Sequence, residues 1–349
     1  MQTRCTRYVP IGVVAVLGAC LAWSAWAATG PQAATPEAEI VTLTLEQFVH
    51  SVLANHPDLE VASRASARDA NARPANARPT RGAPLVVRPP RGASDATEAE
   101  LRDRVNRVLL QAIQAYWNQV RDLGAVEIRK KAVAAAETLA RRAGGSGESD
   151  ATDLLLRSTA ETFLAETRIA LHRATQRAAD GEDALKLLMN DETLSVSSDT
   201  RLLLLTEPVE PPAATYPDET IGLDLALRNR LGTTEIPRDK AERKRVESLA
   251  LEVRGARRRI ESARTMFLLA RDRVRAAEKA LEAADETEKA QQREAAGGLL
   301  IRIRAQAALA DAQLQLLAAR VDHEIALADW DRATGQLHER WSLRIQADS

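Results

Sequence analysis

The sequence is poor in aromatic residues and has no dominant charge, and each shortage excludes a class of protein. Phe, Tyr and Trp make up 3% of the 349 residues, whereas 45% are apolar and mostly Ala or Leu. Such a composition suits long helices and coiled coils better than a thick globular core. With 48 basic and 49 acidic side chains interleaved along the chain, even the arginine run 257–259 indicates a solvated helix face rather than a nucleic-acid-binding surface.

Residues that carry catalysis or bind metals are also scarce. The chain's two cysteines, Cys5 and Cys20, both lie close to the N-terminus, so no disulfide framework is expected in the body of the chain. The five histidines are scattered and lack the spacing of a metal site. Neither a phosphate-binding glycine loop nor a Ser/His/Asp arrangement is legible. We therefore predict that the protein is not an enzyme and needs neither a cofactor nor a metal.

Residues 1–27 have the three parts of a signal peptide. Two arginines precede an apolar run over residues 8–28, which contains the small-x-small sequence Ala25-Trp26-Ala27. Cleavage after Ala27 is the favoured interpretation, and it predicts export out of the cytoplasm. The sequence Leu-Gly-Ala-Cys at 17–20 also resembles a bacterial lipobox, so lipidation of Cys20 stays open. Residues 28–42 would then form a flexible lead-in.

A heptad pattern from Val246 to Ala284 organises the rest of the chain. Its apolar residues alternate at spacings of three and four, and alanine holds one of the two core positions from Ala256 onward. This large–small seam predicts a long helix that a partner helix can approach closely on the alanine side. The seam consists of Val246, Leu249, Val253, Ala256, Ile260, Ala263, Phe267, Ala270, Val274, Ala277, Leu281 and Ala284.

A second apolar seam follows directly after Gly297 and Gly298. Its members are Leu300, Ile303, Ala307, Ala310, Leu314, Leu317, Val321, Ile325 and Ala328. Two glycines between two long helical patterns predict a sharp reversal of the chain at this point. The prediction is an antiparallel hairpin with arms of about 45 and 35 residues, roughly 50–70 Å long at about 1.5 Å per residue.

The first half of the chain shows the same order of elements. A short helix is predicted after Thr44, which forms a capping box with Gln47. Residues 74–97 interrupt the helical pattern with five prolines and contain one short strand candidate, Leu85–Val87. A long helix is then predicted from 97 to about 143 and a return helix from about 150–153 to Met189. Their predicted buried residues are Leu101, Val105, Val108, Ala112, Tyr116, Val120 and Leu123, and then Leu155, Phe163, Leu171 and Leu188.

The two halves therefore read as tandem repeats of one unit. The predicted fold is all-α, with a first hairpin repeat over residues 43–200 whose tip lies near 144–153. A Pro-rich linker over 201–217 leads to a second repeat over 218–337, whose tip lies near 297–299. Residues 338–349 are predicted to form a C-terminal tail.

Several stretches, in this order, resemble the TolC family of outer-membrane efflux proteins. Leu43–Glu46 followed by Asn55-His56-Pro57-Asp58-Leu59 is similar to the family's opening phrase, and Ala115-Tyr116-Trp117 is similar to an element of its first arm. Gly144 to Leu155 is similar to its hairpin tip, and Ala328 to Leu337 is similar to the end of its last helix. The resemblance spans residues 43–337.

The resemblance implies an exported protein of the outer membrane or periplasm of a Gram-negative-type bacterium. It also implies a homotrimer in which each chain gives two helical hairpins to a periplasmic tunnel. The hairpin tips would contact a periplasmic adaptor protein fed by an inner-membrane pump, and the assembly would serve efflux or type I secretion. The tip residues concerned are Gly144, Gly145, Gly147, Asp153, Leu154, Gly297, Gly298 and Leu299. A glycine turn and a capping Asp153 explain these residue types by themselves, so an adaptor contact would be additional.

One part of the family pattern is not found in the sequence. The family carries β-strands for a shared barrel between the short helix and the long arm of each half, and a membrane strand needs about 9–11 residues. Here the first gap is rich in Pro and Arg and the second is short, so the barrel strands are apparently missing or degenerate. The alternative prediction is a barrel-less periplasmic coiled-coil scaffold or interaction protein that is not itself a channel. A degenerate product that forms no assembly is a third interpretation.

Overall fold

The computed structural model describes residues 40–57, 59–61, 85–88, 98–144, 151–212, 217–233, 239–290 and 295–345. The predicted signal peptide, with its lipidation candidate Cys20, lies outside these ranges, as do Gly145 and Gly147. The helices are α1 (Leu45–Asn55), α2 (Glu98–Gly144), α3 (Ala151–Met189), α4 (Glu219–Ala226), α5 (Lys240–Ala290), α6 (Ala295–Ala333) and α7 (Leu337–Arg340). The strands are β1 (Ile40–Leu43), β2 (Glu60–Val61), β3 (Leu85–Arg88), β4 (Arg201–Leu204) and β5 (Leu343–Ile345).

Four long helices dominate the fold and form the two predicted hairpins, α2 with α3 and α5 with α6. The predicted all-α architecture is confirmed, since each described strand has only two to four residues. At about 1.5 Å per residue, the 51-residue α5 is roughly 75 Å long. No helix in the described ranges is both long enough and apolar enough to cross a lipid bilayer.

The arms lie side by side in the order α3, α2, α6, α5, so that the two hairpins meet along α2 and α6. Leu317 of α6 occupies the space where a side chain at Gly124 of α2 would begin, which brings the two helices close together. Arg129 faces Asp311 at 3.5 Å on the same contact. The central helices α2 and α6 therefore have neighbours on both sides, whereas α3 and α5 are edges.

The predicted seam of α5 is confirmed almost residue by residue. Eleven of its twelve members are buried, and Leu281 is half-buried. Alanine has no side-chain entropy to lose, and its small volume lets α6 approach closely. Two arginines of the run 257–259 form ion pairs, Arg257 with Glu219 and Glu261 and Arg259 with Asp329, as expected for a charged helix face.

We call the end of each repeat opposite its hairpin tip the base. At the base of the first repeat, a compact core holds α1 against α2. Phe48, Tyr116 and Trp117 form its aromatic centre, with ring centroids 5.7–5.8 Å apart. The Tyr116 hydroxyl donates to the Leu43 carbonyl at 3.2 Å and accepts from the Thr206 backbone N–H at 3.0 Å. The predicted capping box of α1 is confirmed, because the side chains of Thr44 and Gln47 each accept the other's backbone N–H.

Two small sheets join parts of the chain that are far apart in sequence. β1 pairs with β4 in parallel, and β3 lies between β2, which is antiparallel to it, and β5, which is parallel. The predicted C-terminal tail is wrong, since α7 and β5 pack into the core of the first repeat, where Leu337 and Leu343 are buried. β3 and β5 are far apart in the sequence, so a local sequence pattern does not reveal that they pair.

The base of the second repeat is built from smaller residues. Asp218 caps α4, as expected for a helix beginning there, and Gly222 lets the Trp330 indole lie directly against the α4 backbone. One wide π-helical turn, Leu227–Leu231, follows α4 and ends at Gly232, whose φ of +66° favours glycine.

Candidate functional surfaces at the hairpin ends and edges

The first hairpin tip is formed by the end of α2 and the start of α3. Gly144 is the last residue of α2 and is exposed, and a side chain placed there would meet no other atom within 4 Å. Asp153 is the third residue of α3 rather than its predicted cap, a position where a carboxylate still interacts favourably with the helix dipole. Leu154 and Leu155 are both more than half exposed, although Leu155 was predicted to be buried. Leu156 takes the buried position instead.

The second tip differs from the prediction in where the chain reverses. α5 ends at Ala290 and α6 begins at Ala295, so Gly297 and Gly298 lie in the first turn of α6 rather than in the reversal. The heptad pattern placed the helices correctly, but a double glycine at a helix start looks the same in sequence as one in a turn. Leu299 is buried, whereas Ile301, which the sequence did not single out, is more than half exposed.

The structure brings the two predicted tips together. Leu299 and Ile303 of α6 pack with residues from the end of α2 and the start of α3 in one apolar cluster. The other buried members of this cluster are Ala136, Leu139, Ala143, Leu156, Ala160 and Phe163. Leu154, Leu155 and Ile301 remain exposed beside it, so apolar side chains are available at the end of the hairpin pair.

Each edge helix has exposed apolar residues opposite its buried seam. On α3 these include Ile169 and Leu187, and on α5 they include Leu251 and Leu269. The members of each pair are five helical turns apart, about 27 Å along the axis, so they point in the same direction. Each edge helix therefore has one outward-facing apolar pair in addition to its buried seam.

An asparagine fastens the base of each hairpin in the same way. Asn55, at the end of α1, donates from its amide to the Met189 carbonyl at 2.9 Å, where α3 ends. Asn229, in the π-helical turn after α4, donates to the Thr334 carbonyl at 3.1 Å, where α6 ends. The duplication noted in the sequence is therefore also present in the hydrogen bonds, and these residues set where each return arm stops.

A network of charges connects the two bases. Arg102 of α2 donates to the Asn229 carbonyl at 2.6 Å. The Arg230 side chain lies 2.7 Å from Glu252 and 3.7 Å from Asp103. Arg102 and Asp103 are consecutive in α2, and they contact Asn229 and Arg230, which are consecutive in the π-helical turn. These contacts fix the base of one hairpin relative to the base of the other.

Burial shifts the pKa of three groups along α6. Burial lowers the pKa of His323, and the nearby charge of Arg264 lowers it further. Burial raises the pKa of Glu324, although the Val209 N–H and Arg340 partly offset this effect. The pKa of Asp331 is raised by burial in the same way and is partly restored by Arg340. In the described ranges no group of three or more His, Cys, Asp or Glu side chains is placed to hold a metal ion.

Comparison with solved structures finds a similar helical fold in two membrane proteins. A membrane protein from Pseudomonas aeruginosa aligns over 68% of this chain and 68% of its own, with 15% identity and a TM-score of 0.50. The CmeC outer membrane channel of Campylobacter jejuni aligns over 69% of this chain and 65% of its own, with 14% identity and a TM-score of 0.51. No protein-family model matches the sequence, and no curated protein matches it.

The likeness to these channels, at low identity, concerns the fold. The chain spans just under two thirds of the length of the Campylobacter channel. The predicted resemblance to the TolC family is thereby confirmed at the level of the helical hairpins.

Proposed function

We propose that the protein is an exported, TolC-like component of an efflux or type I secretion assembly, in which several copies form a helical conduit. The observation that carries the proposal is the side-by-side row of four arms with an exposed apolar pair on the outer face of each edge helix. Copies joined edge to opposite edge make a head-to-tail contact, and such contacts close into a ring when the rotation fits. The channel fold of the structural neighbours supports the same conclusion.

The positions along the edges give the register of this contact. Ile169 lies about 27 Å from the tip end of α3, and Leu269 lies about 32 Å from the tip end of α5. Leu187 and Leu251 each lie a further five helical turns toward the base. With the tips of two copies level, Ile169 faces Leu269 and Leu187 faces Leu251 to within about 5 Å along the helices.

The exposed apolar side chains at the tips would contact a periplasmic adaptor protein, which an inner-membrane pump would serve. Leu154, Leu155 and Ile301 are the side chains that such a partner would cover. Burying a leucine or isoleucine side chain contributes about 1.5–3 kcal/mol, so burial of all three would stabilise the contact substantially. Gly144 and Gly297, where added side chains meet nothing, leave room beside them.

A cross-linking experiment tests the assembly. In a Cys20→Ala chain, the pair Ile169→Cys and Leu269→Cys should give disulfide-linked oligomers on a non-reducing gel. Both positions are on opposite edges of one copy, so the bond forms only between copies. Leu187→Cys with Leu269→Cys is the matched control, because those positions are about 22 Å out of register. An absence of oligomers from the first pair would contradict the assembly, and equal yields would contradict the register.

Membrane fractionation with an alkaline carbonate wash tests the conduit itself. The Cys20→Ala chain is used so that a lipid anchor does not imitate membrane insertion. Retention in washed outer membranes is the expected result for a conduit. Release into the soluble fraction would overturn the conduit and favour a protein that works within the periplasm.

The alternative is a periplasmic helical scaffold or interaction protein that is not itself a channel. One observation favours it: only eight residues, 232–239, separate the π-helical turn from α5. This is too short for a pair of membrane strands of about 9–11 residues each. A scaffold would keep the edge-to-edge cross-links while failing the carbonate test, so the two experiments together separate the functions.

A further inference from the structure

One helical turn of α6, residues 320–324, contacts two other parts of the molecule, and we call it the junction turn. Arg320 pairs with Glu210 of the linker at 2.8 Å, and the Glu324 carboxylate accepts the Val209 backbone N–H at 3.2 Å. Asp322 faces Arg121 of α2 at 4.0 Å. The junction turn therefore fastens both the linker and the first hairpin to the second hairpin.

His323 is the buried member of the junction turn, with only 4% of its surface exposed. Among the described residues, none offers a hydrogen-bond partner to its buried Nδ1 atom. A neutral imidazole can tolerate this site, but a protonated one would carry an uncompensated N–H and a charge out of water.

The charges around His323 oppose protonation rather than relieve it. Arg264 of α5 is the charged residue that acts on the imidazole, and its sign is the same as that of a protonated histidine. On the α2 side, Arg121 is near Asp322, and on α6 itself Arg320 is occupied by Glu210. Glu324, the following residue, accepts a hydrogen bond from the Val209 N–H, and the positive charge of Arg340 in α7 favours its ionised form.

Acid changes the charge of the junction turn in one direction. Protonation of His323 adds a positive charge to the junction turn and takes its net charge from about -1 to about 0, while Arg264 and Arg121 stay positive. Like charges would then accumulate where α5, α6 and the linker meet.

We propose that the junction turn is an acid-sensitive fastening, in which protonation of His323 loosens the α5–α6 seam and the linker while the first hairpin keeps its packing. Among the described residues of α2 and α3, the one histidine, His172, is exposed, so these two arms have no buried imidazole of their own. The device depends on the packing within one chain, so it is independent of whether the chain forms a conduit.

The sign of the pH dependence follows from the two groups. The pKa of His323 is depressed in the folded protein, so its contribution to stability is full above the ordinary value of about 6.5 and is lost as the pH falls below it. The pKa of Glu324 is raised, so its protonation favours the folded state and offsets part of the loss at lower pH. The window in which His323 acts with the least offset therefore lies just below about pH 6.5.

Hydrogen exchange measured by mass spectrometry on the full chain at pH 7.0 and 5.5 tests the proposal, with intrinsic exchange rates corrected. Peptides covering 263–277 and 309–324 should open more at the lower pH, by up to about tenfold per pH unit below 6.5. Peptides of α3 should not change. His323→Gln should abolish the difference, and His172→Gln is the surface control that should leave it intact.

Two results would overturn the proposal: a wild-type chain with no difference between the two pH values, or a His323→Gln chain with an undiminished one. If His323→Gln fails to fold, Arg264→Gln serves as the deciding variant. Removing that cation should reduce the acid effect while leaving the imidazole in place. An undiminished acid effect in Arg264→Gln would then be the contradicting outcome.

Discussion

The bases of the two repeats have the same layout but are held together by different forces. In the first, Phe48, Tyr116 and Trp117 fill a core that also receives β1, β4 and the C-terminal elements. In the second, the buried residues are mostly Ala, Val and Leu around Trp330, and ion pairs surround them. Each base nevertheless places one asparagine against the end of its return arm. The asparagine contact at the end of the return arm is therefore common to both repeats, whereas the composition of the core is not.

The largest difference between the repeats should appear when one phenylalanine is removed from each. Phe48→Ala should lower the free energy of unfolding by about 3–5 kcal/mol, because its cavity is enclosed on all sides and resists collapse. Phe267→Ala should fall at the lower end of that range, since a two-helix seam can close around the gap. Urea unfolding of both variants measures the two losses in free energy of unfolding. An equal or larger loss for Phe267→Ala would contradict the expected difference between the repeats.

The contact of α4 with Trp330 is particular to the second base, and Gly222→Ala tests it. An added Cβ would lie 2.3 Å from the indole, so the ring must move, at a cost of about 1–3 kcal/mol. Gly297→Ala is the matched control, because nothing lies within 4 Å there and helix propensity should stabilise by about 0.5–1 kcal/mol. Thermal melts should move in opposite directions, and a loss of stability in both variants would refute the steric explanation.

The shared asparagine stop should have a similar value in both repeats. Asn55→Ala and Asn229→Ala each leave a main-chain carbonyl without its donor, which should cost about 1–3 kcal/mol. Asn55→Asp and Asn229→Asp keep the size but remove the donor, so they should be at least as damaging. Hydrogen exchange at the end of α3 and the end of α6 locates the effect. A cost in only one repeat would show that the two hydrogen bonds are not equivalent.

The smallest expected effects concern the ion pairs. Arg230→Met should cost about 1 kcal/mol, since Glu252 and Asp103 are partly exposed and solvent screens the loss. Arg129→Met, which loses one contact to an exposed Asp311, should cost less than about 0.5 kcal/mol. Urea titrations at low and high salt measure both. If neither cost shrinks at high salt, the charges do not stabilise the second base.

The sequence predicted the arms of the fold because their signals are local. The capping box of α1, the seam of α5 and the bounds of α2 and α3 each depend on residues within a few turns of one another. Position 155 was misjudged because Leu154, Leu155 and Leu156 are consecutive, and a run of three leucines leaves the direction of the buried face undecided.

What the sequence could not predict depends on contacts between distant segments. The parallel pairing of β1 with β4 and of β3 with β5 has no local signal. The close approach at Gly222 depends on Trp330, whose position follows only from the packing of α6. The exposed apolar pairs on α3 and α5 are different, because their spacing of five helical turns is visible in the sequence once the buried seams are assigned.

The place of β5 has a consequence for how the protein is made. β5, which is synthesised long after β3, completes a sheet with it. Domains usually fold from the N-terminus as synthesis proceeds, but here the first repeat would wait for residues 337–345 before its core closes. A prematurely terminated chain would then lack a finished first repeat as well as an end, which gives proteases a direct means of recognising incomplete products.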